Sequence, residues 1–201
     1  MQKNISVHFR FFKNNMQSIA ALMPLLPGAH LARKVCDGIM VYSFATLQAQ
    51  AVFSEVDGAK TSSILIAGGP HPSARPEETL QYFDYAVIGE GEETLPELIN
   101  ALQKDKDVSS VRGIAFKKED SIVFTEKREN IDLDNYPAFD PELMHSTIEI
   151  SRGCPFSCAY CQTPQLFGHR MRHRSIHEIA KYAQYLRDIR FTSPNAFAYG
   201  S

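Results

Sequence analysis

The chain has 201 residues, of which 44% are hydrophobic and 22% charged, a composition typical of a globular protein with a sizeable core. The formal net charge of -2 provides no general attraction to nucleic acids or anionic membranes. No apolar stretch is long enough to cross a bilayer, and the N-terminus lacks the pattern of a secretory signal. We therefore expect a cytoplasmic protein with no membrane partner.

Strands and helices alternate along the first part of the chain. Apolar residues at every second position predict a first strand, and continuous apolar runs predict three more. The predicted strands cover residues 3–12, 38–44, 62–69 and 85–92. Helical spacing follows each of them, over residues 16–26, 47–56, 76–83 and 93–103. A β-hairpin over residues 113–127 closes the region. This order predicts an α/β fold with a doubly wound, Rossmann-like sheet.

The chain changes character after this region. Residues 129–146 carry two prolines and several acids, which is typical of a linker between domains. A new strand, a cysteine-containing loop and a helix over 175–189 follow, and residues 190–197 begin another strand. Ser175 is the expected N-cap of this helix. Its expected apolar face consists of Ile176, Ile179, Tyr182, Ala183 and Leu186. We therefore predict a Rossmann-like domain over 1–128, a linker over 129–146 and the start of a second domain over 147–201.

Three cysteines form the strongest chemical signal. Cys154, Cys158 and Cys161 place three thiolates on one short loop, a ligand set that selects zinc, cuprous copper or an iron–sulfur cluster. Structural zinc usually needs four ligands in two close pairs, and only His169 and His173 are close enough in sequence to complete such a site. Three ligands suit a four-iron cluster in which one iron keeps an open coordination site. We expect a cluster, with zinc completed by His169 as the alternative.

The segment SRGCPFSCAYC, which follows a predicted strand, resembles the signature of the radical S-adenosylmethionine (radical SAM) superfamily. The resemblance implies that the three cysteines bind a [4Fe–4S] cluster whose fourth iron is chelated by S-adenosylmethionine. It implies that the reduced cluster cleaves this cofactor to a 5′-deoxyadenosyl radical, so a flavodoxin- or ferredoxin-like electron donor is expected as a partner. The main chain at Tyr160 is expected to lie near the adenine.

Three segments of the first domain carry a second resemblance. SFAT at 43–46, GGPHPSARPEE at 68–78 and YAVIGEGEETLPEL at 85–98 resemble the cobalamin-binding domain that precedes many radical SAM enzymes. The resemblance implies cobalamin between the sheet and the mouth of a partial (β/α) barrel, although some relatives keep this fold without the cofactor. The residues expected to contact it are Ser43, Thr46, Gly68, Gly69, Pro70, His71, Gly89, Glu90, Gly91 and Glu92.

Two departures from related families restrict this reading. The chain lacks the Asp-x-His-x-x-Gly motif of proteins that bind cobalt through histidine, so we expect His71 to cap the following turn instead. Methylthiotransferases use three further N-terminal cysteines, but only Cys36 is present upstream, and we expect it to be a small buried hydrophobe.

The basic run from His169 to Arg174 has two interpretations. It could meet an anionic substrate or the carboxylate of S-adenosylmethionine. The commoner role for a short charged run is a solvated loop, or contact with the linker and the first domain.

The resemblance predicts a radical SAM enzyme that uses cobalamin for methyl transfer to an unactivated carbon. A radical SAM barrel needs roughly six strand–helix units, so we expect the chain to be the N-terminal portion of such an enzyme. The motifs assign no catalytic side chain and no substrate, small or macromolecular. The alternative is a non-catalytic, zinc-stabilised binding module. The net charge and the lack of aromatics within the basic run make nucleic acid an unexpected partner.

Overall fold

The computed structural model describes residues 5–59, 61–143, 145–195 and 197–200. Its main element is a seven-stranded sheet with the order β2-β1-β3-β4-β5-β6-β7. The strands are β1 (Val7–Arg10), β2 (His30–Ala32), β3 (Ile39–Ser43), β4 (Ile64–Gly68), β5 (Tyr85–Val87), β6 (Ile114–Lys118) and β7 (Ser121–Phe124). The first five are parallel, while β6 and β7 run antiparallel as the predicted hairpin.

Helices cover both faces of this sheet. They are α1 (Met16–Leu22), α2 (Thr46–Gly58), α3 (Pro70–Ala74), α4 (Pro76–Thr79) and α5 (Gly91–Gln103). One core cluster joins alternate residues of β1, β3 and β4 to α1 and α5. The other joins the intervening residues of β3 and β4 to α2. Burial on both faces explains the continuous apolar runs of the central strands and confirms the predicted doubly wound α/β class.

Some elements of the first domain differ from the prediction. Strand β2 was not predicted because two of its three residues are exposed and only pairing with β1 defines it. Helix α4 ends at Thr79, before the predicted limit at residue 83. Cys36 is half-buried against the second core cluster, and its Sγ lies 3.5 Å from Met40 Sδ. Desolvation raises the pKa of the Cys36 thiol.

Shorter elements form the second part of the chain. They are β8 (Ile148–Glu149), β9 (Ser151–Arg152), α6 (Thr163–Phe167), β10 (Arg172–His173), α7 (Ile176–Ala183) and β11 (Phe191–Thr192). Strands β8 and β11 are parallel and connected through α7, which is the strand–helix–strand unit expected at the start of a barrel. Strands β9 and β10 pair antiparallel.

Helix α7 begins as predicted but is shorter than the predicted 175–189. Ser175 is its N-cap, with Oγ accepting a hydrogen bond from the Glu178 amide. The predicted apolar face is correct for Ile179, Tyr182, Ala183 and Leu186, which pack in one cluster. It is wrong for Ile176, which is 74% exposed in the first turn.

The two parts are joined by a small core. Ala20 of α1, Ala138 and Phe139 of the linker, Ile148 of β8 and Tyr182 of α7 form one buried cluster. No helix among the described residues is long and apolar enough to span a membrane.

Candidate functional site

A cavity of about 470 Å³ opens where the parallel strands β3, β4 and β5 end. Ligands of open α/β sheets collect at this edge. The linker and the second part of the chain form the opposite wall, contributing Ala138, Glu149, Arg152, Arg174 and Ser193 among others. Most of the predicted cobalamin contacts line the cavity: Ser43, Gly68, Gly69, Pro70, Gly89, Glu90, Gly91 and Glu92. The structure therefore brings these residues of three separate loops together.

Glycine is required where the main chain leaves β4. Gly69 has φ +96°, and a Cβ there would lie 3.0 Å from the carbonyl oxygen of Phe44 and from Ser43 Oγ. The Phe44 amide donates to the Gly68 carbonyl at 3.2 Å, and the His71 amide donates to the Phe44 carbonyl at 3.2 Å. The loops that follow β3 and β4 are thus in direct backbone contact. Because they lie so close together, only small residues fit at this floor of the cavity.

His71 and Thr46 lie outside the cavity lining. The buried His71 ring stacks on Phe44 with 5.6 Å between centroids, and its Nδ1 lies 3.3 Å from Thr46 Oγ1. Desolvation lowers the pKa of His71, while Glu78, 3.7 Å from Nε2, opposes this effect. The expectation that His71 caps a turn is wrong, since the residue lies inside α3 and Gly69 occupies the N-cap position.

The carboxylates of Glu90 and Glu92 are bound by arginines of the second part. Arg152 Nη1 lies 3.2 Å from Glu90, and its Nη2 lies 2.6 Å from Glu92. Arg152 Nε also donates to Glu149 at 2.8 Å. Burial would lower the pKa of Arg152, but the charges of Glu92 and Glu149 raise it well above its ordinary value. Arg152 therefore stays charged inside the interface.

Part of the basic run from His169 to Arg174 contacts the linker and the first domain. This agrees with the second interpretation, in which the run serves as a solvated or interdomain segment. Arg172 donates to Glu90 and to the Ile131 carbonyl oxygen, and the buried Arg174 donates to the Tyr136 carbonyl oxygen at 2.8 Å. His169 and Arg170 are exposed. Arg174 and Arg152 also line the cavity.

The three cysteines lie on one loop with different exposures. Cys154 is buried and its amide donates to the Gly168 carbonyl at 3.1 Å, whereas Cys158 is exposed. Hydrogen bonds from the Thr163 hydroxyl and amide lower the pKa of the Cys161 thiol. Within the described ranges, no three or more His, Cys, Asp or Glu side chains are grouped so that they could hold a metal ion. The cluster ligands and the zinc alternative with His169 both stay predictions, although three soft thiolates fit an iron–sulfur cluster chemically.

The cysteine loop rests against the rim of the cavity. Gln162 Nε2 donates to the Pro70 carbonyl oxygen at 2.6 Å, and Asn130 Nδ2 donates to the Phe167 carbonyl oxygen at 3.1 Å. Tyr160 is 92% exposed and does not line the cavity. Its predicted role beside the adenine stays untested.

Sequence reasoning missed the residues that form the far wall of the cavity. Glu149, Arg152, Thr192 and Ser193 belong to the short strands of the second part or follow them directly. Arg152 had a recognisable signal, because it is a charged residue directly after the predicted strand 147–151, two positions before Cys154. Thr192 and Ser193 had no such signal.

Comparison with known proteins finds a family match for the first domain and relatives for a larger part of the chain. Residues 30–99 match the family model of the B12 binding domain. An uncharacterized methyltransferase of Pyrococcus horikoshii is 29% identical over 157 residues, which are 71% of this chain and 34% of that protein. The anaerobic magnesium-protoporphyrin IX monomethyl ester cyclase of Synechocystis is 33% identical over 137 residues, 60% of this chain and 26% of that protein.

A solved structure shares the fold across both parts of the chain. The radical S-adenosylmethionine methyltransferase TsrM of Kitasatospora setae, with cobalamin and a [4Fe–4S] cluster bound, superposes with a TM-score of 0.72 at 15% identity. The match covers 97% of this chain and 48% of that one. The chain thus spans about a third or less of the length of the two curated relatives described above. These findings confirm the resemblance that the sequence motifs indicate.

Proposed function

Since residues 30–99 match the B12 binding domain and the fold is that of a cobalamin-bound radical S-adenosylmethionine methyltransferase, we propose that this chain carries the cofactor-binding region of a cobalamin-dependent radical enzyme. Its reaction class is methyl transfer to an unactivated carbon. The two curated relatives described above are a methyltransferase and a cyclase by name, and the methyltransferase match covers more of this chain.

The observation that carries the proposal is the position of the cavity. It lies between the carboxyl ends of three parallel strands and the loop that bears the three cysteines. Small residues form its floor and Phe44, Val41, Leu95 and Leu166 contribute apolar surface. Such a wall is suited to one face of a large, flat cofactor.

The residues divide into two binding sets. The backbone and small side chains of the β3, β4 and β5 loops would hold cobalamin, and Cys154, Cys158 and Cys161 would hold the cluster. Bound there, the cluster would supply an electron for reductive cleavage of S-adenosylmethionine, and cobalamin would supply a carrier for the methyl group. The chain's own residues would orient these groups and exclude water from the space between them.

Anaerobic reconstitution with iron, sulfide and hydroxocobalamin tests the proposal. We expect about four irons per chain, a reduced-cluster signal in electron paramagnetic resonance that shifts on adding S-adenosylmethionine, and a cobalamin absorption spectrum that stays with the protein through gel filtration. The triple variant Cys154→Ala, Cys158→Ala and Cys161→Ala should lose the iron and keep the cobalamin. The single variant Cys36→Ala is the matched control and should keep both.

The outcomes separate the competing functions. Stoichiometric zinc without iron after anaerobic purification would overturn the radical proposal in favour of the zinc-stabilised module. Iron without retained cobalamin would remove the methyl-transfer proposal and leave the cluster. A cluster signal that S-adenosylmethionine does not change would contradict radical generation by this chain alone.

A further inference from the structure

The three cysteines lie in a loop closed by a very short stem. Strands β9 and β10 form it, with Ser151 opposite His173 and Arg152 opposite Arg172. Two like charges directly opposite each other in an antiparallel pair repel. Because the ladder has only two residue pairs, backbone pairing alone gives little to offset that repulsion.

A carboxylate from the first domain lies between the two arginines. Glu90 accepts hydrogen bonds from Arg172 at 2.7 and 3.1 Å and from Arg152 at 3.2 Å. It also accepts one from the Ile131 amide at 2.8 Å, and its side chain is only 4% exposed. Glu92 binds the other side of Arg152 at 2.6 Å and is 5% exposed. Glu149, three residues before Arg152, also accepts from its Nε at 2.8 Å. The charges of the stem are therefore neutralised by this neighbouring carboxylate and by two residues more than fifty positions upstream.

We propose that Glu90 and Glu92 are positioning residues that clamp the stem of the cysteine loop to the edge of the sheet, and that they do not act as direct contacts to cobalamin. The inference rests on the proposed function in one respect, the assignment of this loop to the cluster. It changes the role carried over for these two residues. Their carboxylates are engaged by guanidinium groups, while the glycines on either side of Glu90 leave the backbone free to line the cavity.

Burial makes this clamp more than a surface ion pair. Removing one partner of a buried charge pair leaves the other charge without compensation, which is far costlier than losing an exposed pair. The Glu90→Gln variant keeps the shape of the side chain but removes its charge. Arg152 and Arg172 would then face each other with one carboxylate fewer between them. The stem should then open, and the loop between residues 153 and 171 should lose its fixed place beside the cavity.

Hydrogen exchange on the cofactor-free chain measures this directly. We expect amides in peptides covering 150–173 to exchange roughly tenfold or more faster in Glu90→Gln than in the natural chain, while β3 and β4 stay protected. Glu93→Gln is the matched control. Glu93 lies in the first turn of α5, three residues after Glu90, but it pairs with Arg128 and Tyr136, and its variant should leave peptides 150–173 unchanged.

A charge-balanced variant keeps the test decisive. Glu90→Gln combined with Arg172→Gln removes the carboxylate together with one of the two repelling cations, so protection of 150–173 should return. If Glu90→Gln alone fails to fold, the double variant should fold. The proposal is overturned if the double variant is no better protected than Glu90→Gln, or if Glu90→Gln leaves the exchange of peptides 150–173 unchanged. Because exchange is measured without cofactors, failure of the cofactor assignment would not imitate either result.

Discussion

Gly153, beside the stem of the cysteine loop, has no space for a side chain. Gly153, between Arg152 and Cys154, has φ +83°, and a Cβ there would lie 2.1 Å from the Arg170 carbonyl oxygen. That oxygen belongs to backbone, which cannot move aside as a flexible side chain could. The glycine in SRGCPFSC is therefore explained by the return of the loop onto its own start.

Gly153→Ala should destabilise the chain by more than about 2 kcal/mol, because it adds a backbone clash to the unfavourable left-handed conformation. Urea denaturation measures the loss. Gly58→Ala is the control, since a Cβ at Gly58, the last residue of α2, would meet no atom within 4 Å. This variant should be neutral or slightly stabilising. Equal midpoints for Gly153→Ala and the natural chain would contradict the described path of the loop.

The linker packs between the first domain and the second part of the chain. Phe139 is 1% exposed and its ring centroid lies 5.2 Å from that of Tyr182 in α7. The same cluster includes Ala20 of α1 and Ile148 of β8. A proline-containing acidic segment thus contributes a hydrophobic anchor that its composition does not reveal. Asp134 adds a polar contact by accepting from the Ser175 amide at 2.8 Å.

Phe139→Ala should cost about 3–5 kcal/mol, because it removes a large buried ring and leaves a cavity between α1, β8 and α7. Phe124→Ala is a suitable comparison, since Phe124 is 53% exposed on β7 and its variant should change stability by less than about 1 kcal/mol. Chemical denaturation gives both values. Similar losses for the two variants would show that the linker is not an anchor.

For the whole molecule, the important surface is the cavity wall shared by both parts. Glu149, Arg152 and Ser193 face it from one side, and Ser43 and Gly69 face it from the other. A ligand that contacts both walls would gain contacts only when the two parts are folded and docked. Its binding free energy should therefore stabilise the complete described fold rather than the sheet alone.

Hydroxocobalamin at about 100 times its dissociation constant should stabilise the chain by ~2.7 kcal/mol, which corresponds to a rise of roughly 5–10 °C in Tm. Ser43→Trp should abolish the rise by filling the cavity. Ser54→Trp, on an exposed position of α2, should retain it. Differential scanning calorimetry measures the shift. A rise of the same size in Ser43→Trp would place the ligand elsewhere.

Features that depend on local chemistry and regular spacing could be predicted from the amino-acid sequence. Apolar runs such as Ile39–Tyr42 predicted strands buried on both faces, and Ser175 predicted a helix start, because each signal lies within a few consecutive residues. The resemblance of three loops located eight residues that line the cavity. The spacing of the cysteines indicated cluster chemistry through ligand type and number alone.

The partners of these residues, by contrast, became known from the three-dimensional packing. His71 and Thr46 belong to the same predicted loops as the cavity residues, yet they bond to each other behind it. Glu90 and Glu92 lie in a glycine-rich turn that suggests cofactor contact, but their carboxylates bind Arg152 and Arg172. Strand β2 exists because β1 pairs with it. The physical reason is common to these cases: ion pairs, ring stacking and strand pairing join residues distant in sequence, and no local pattern encodes the distance between them.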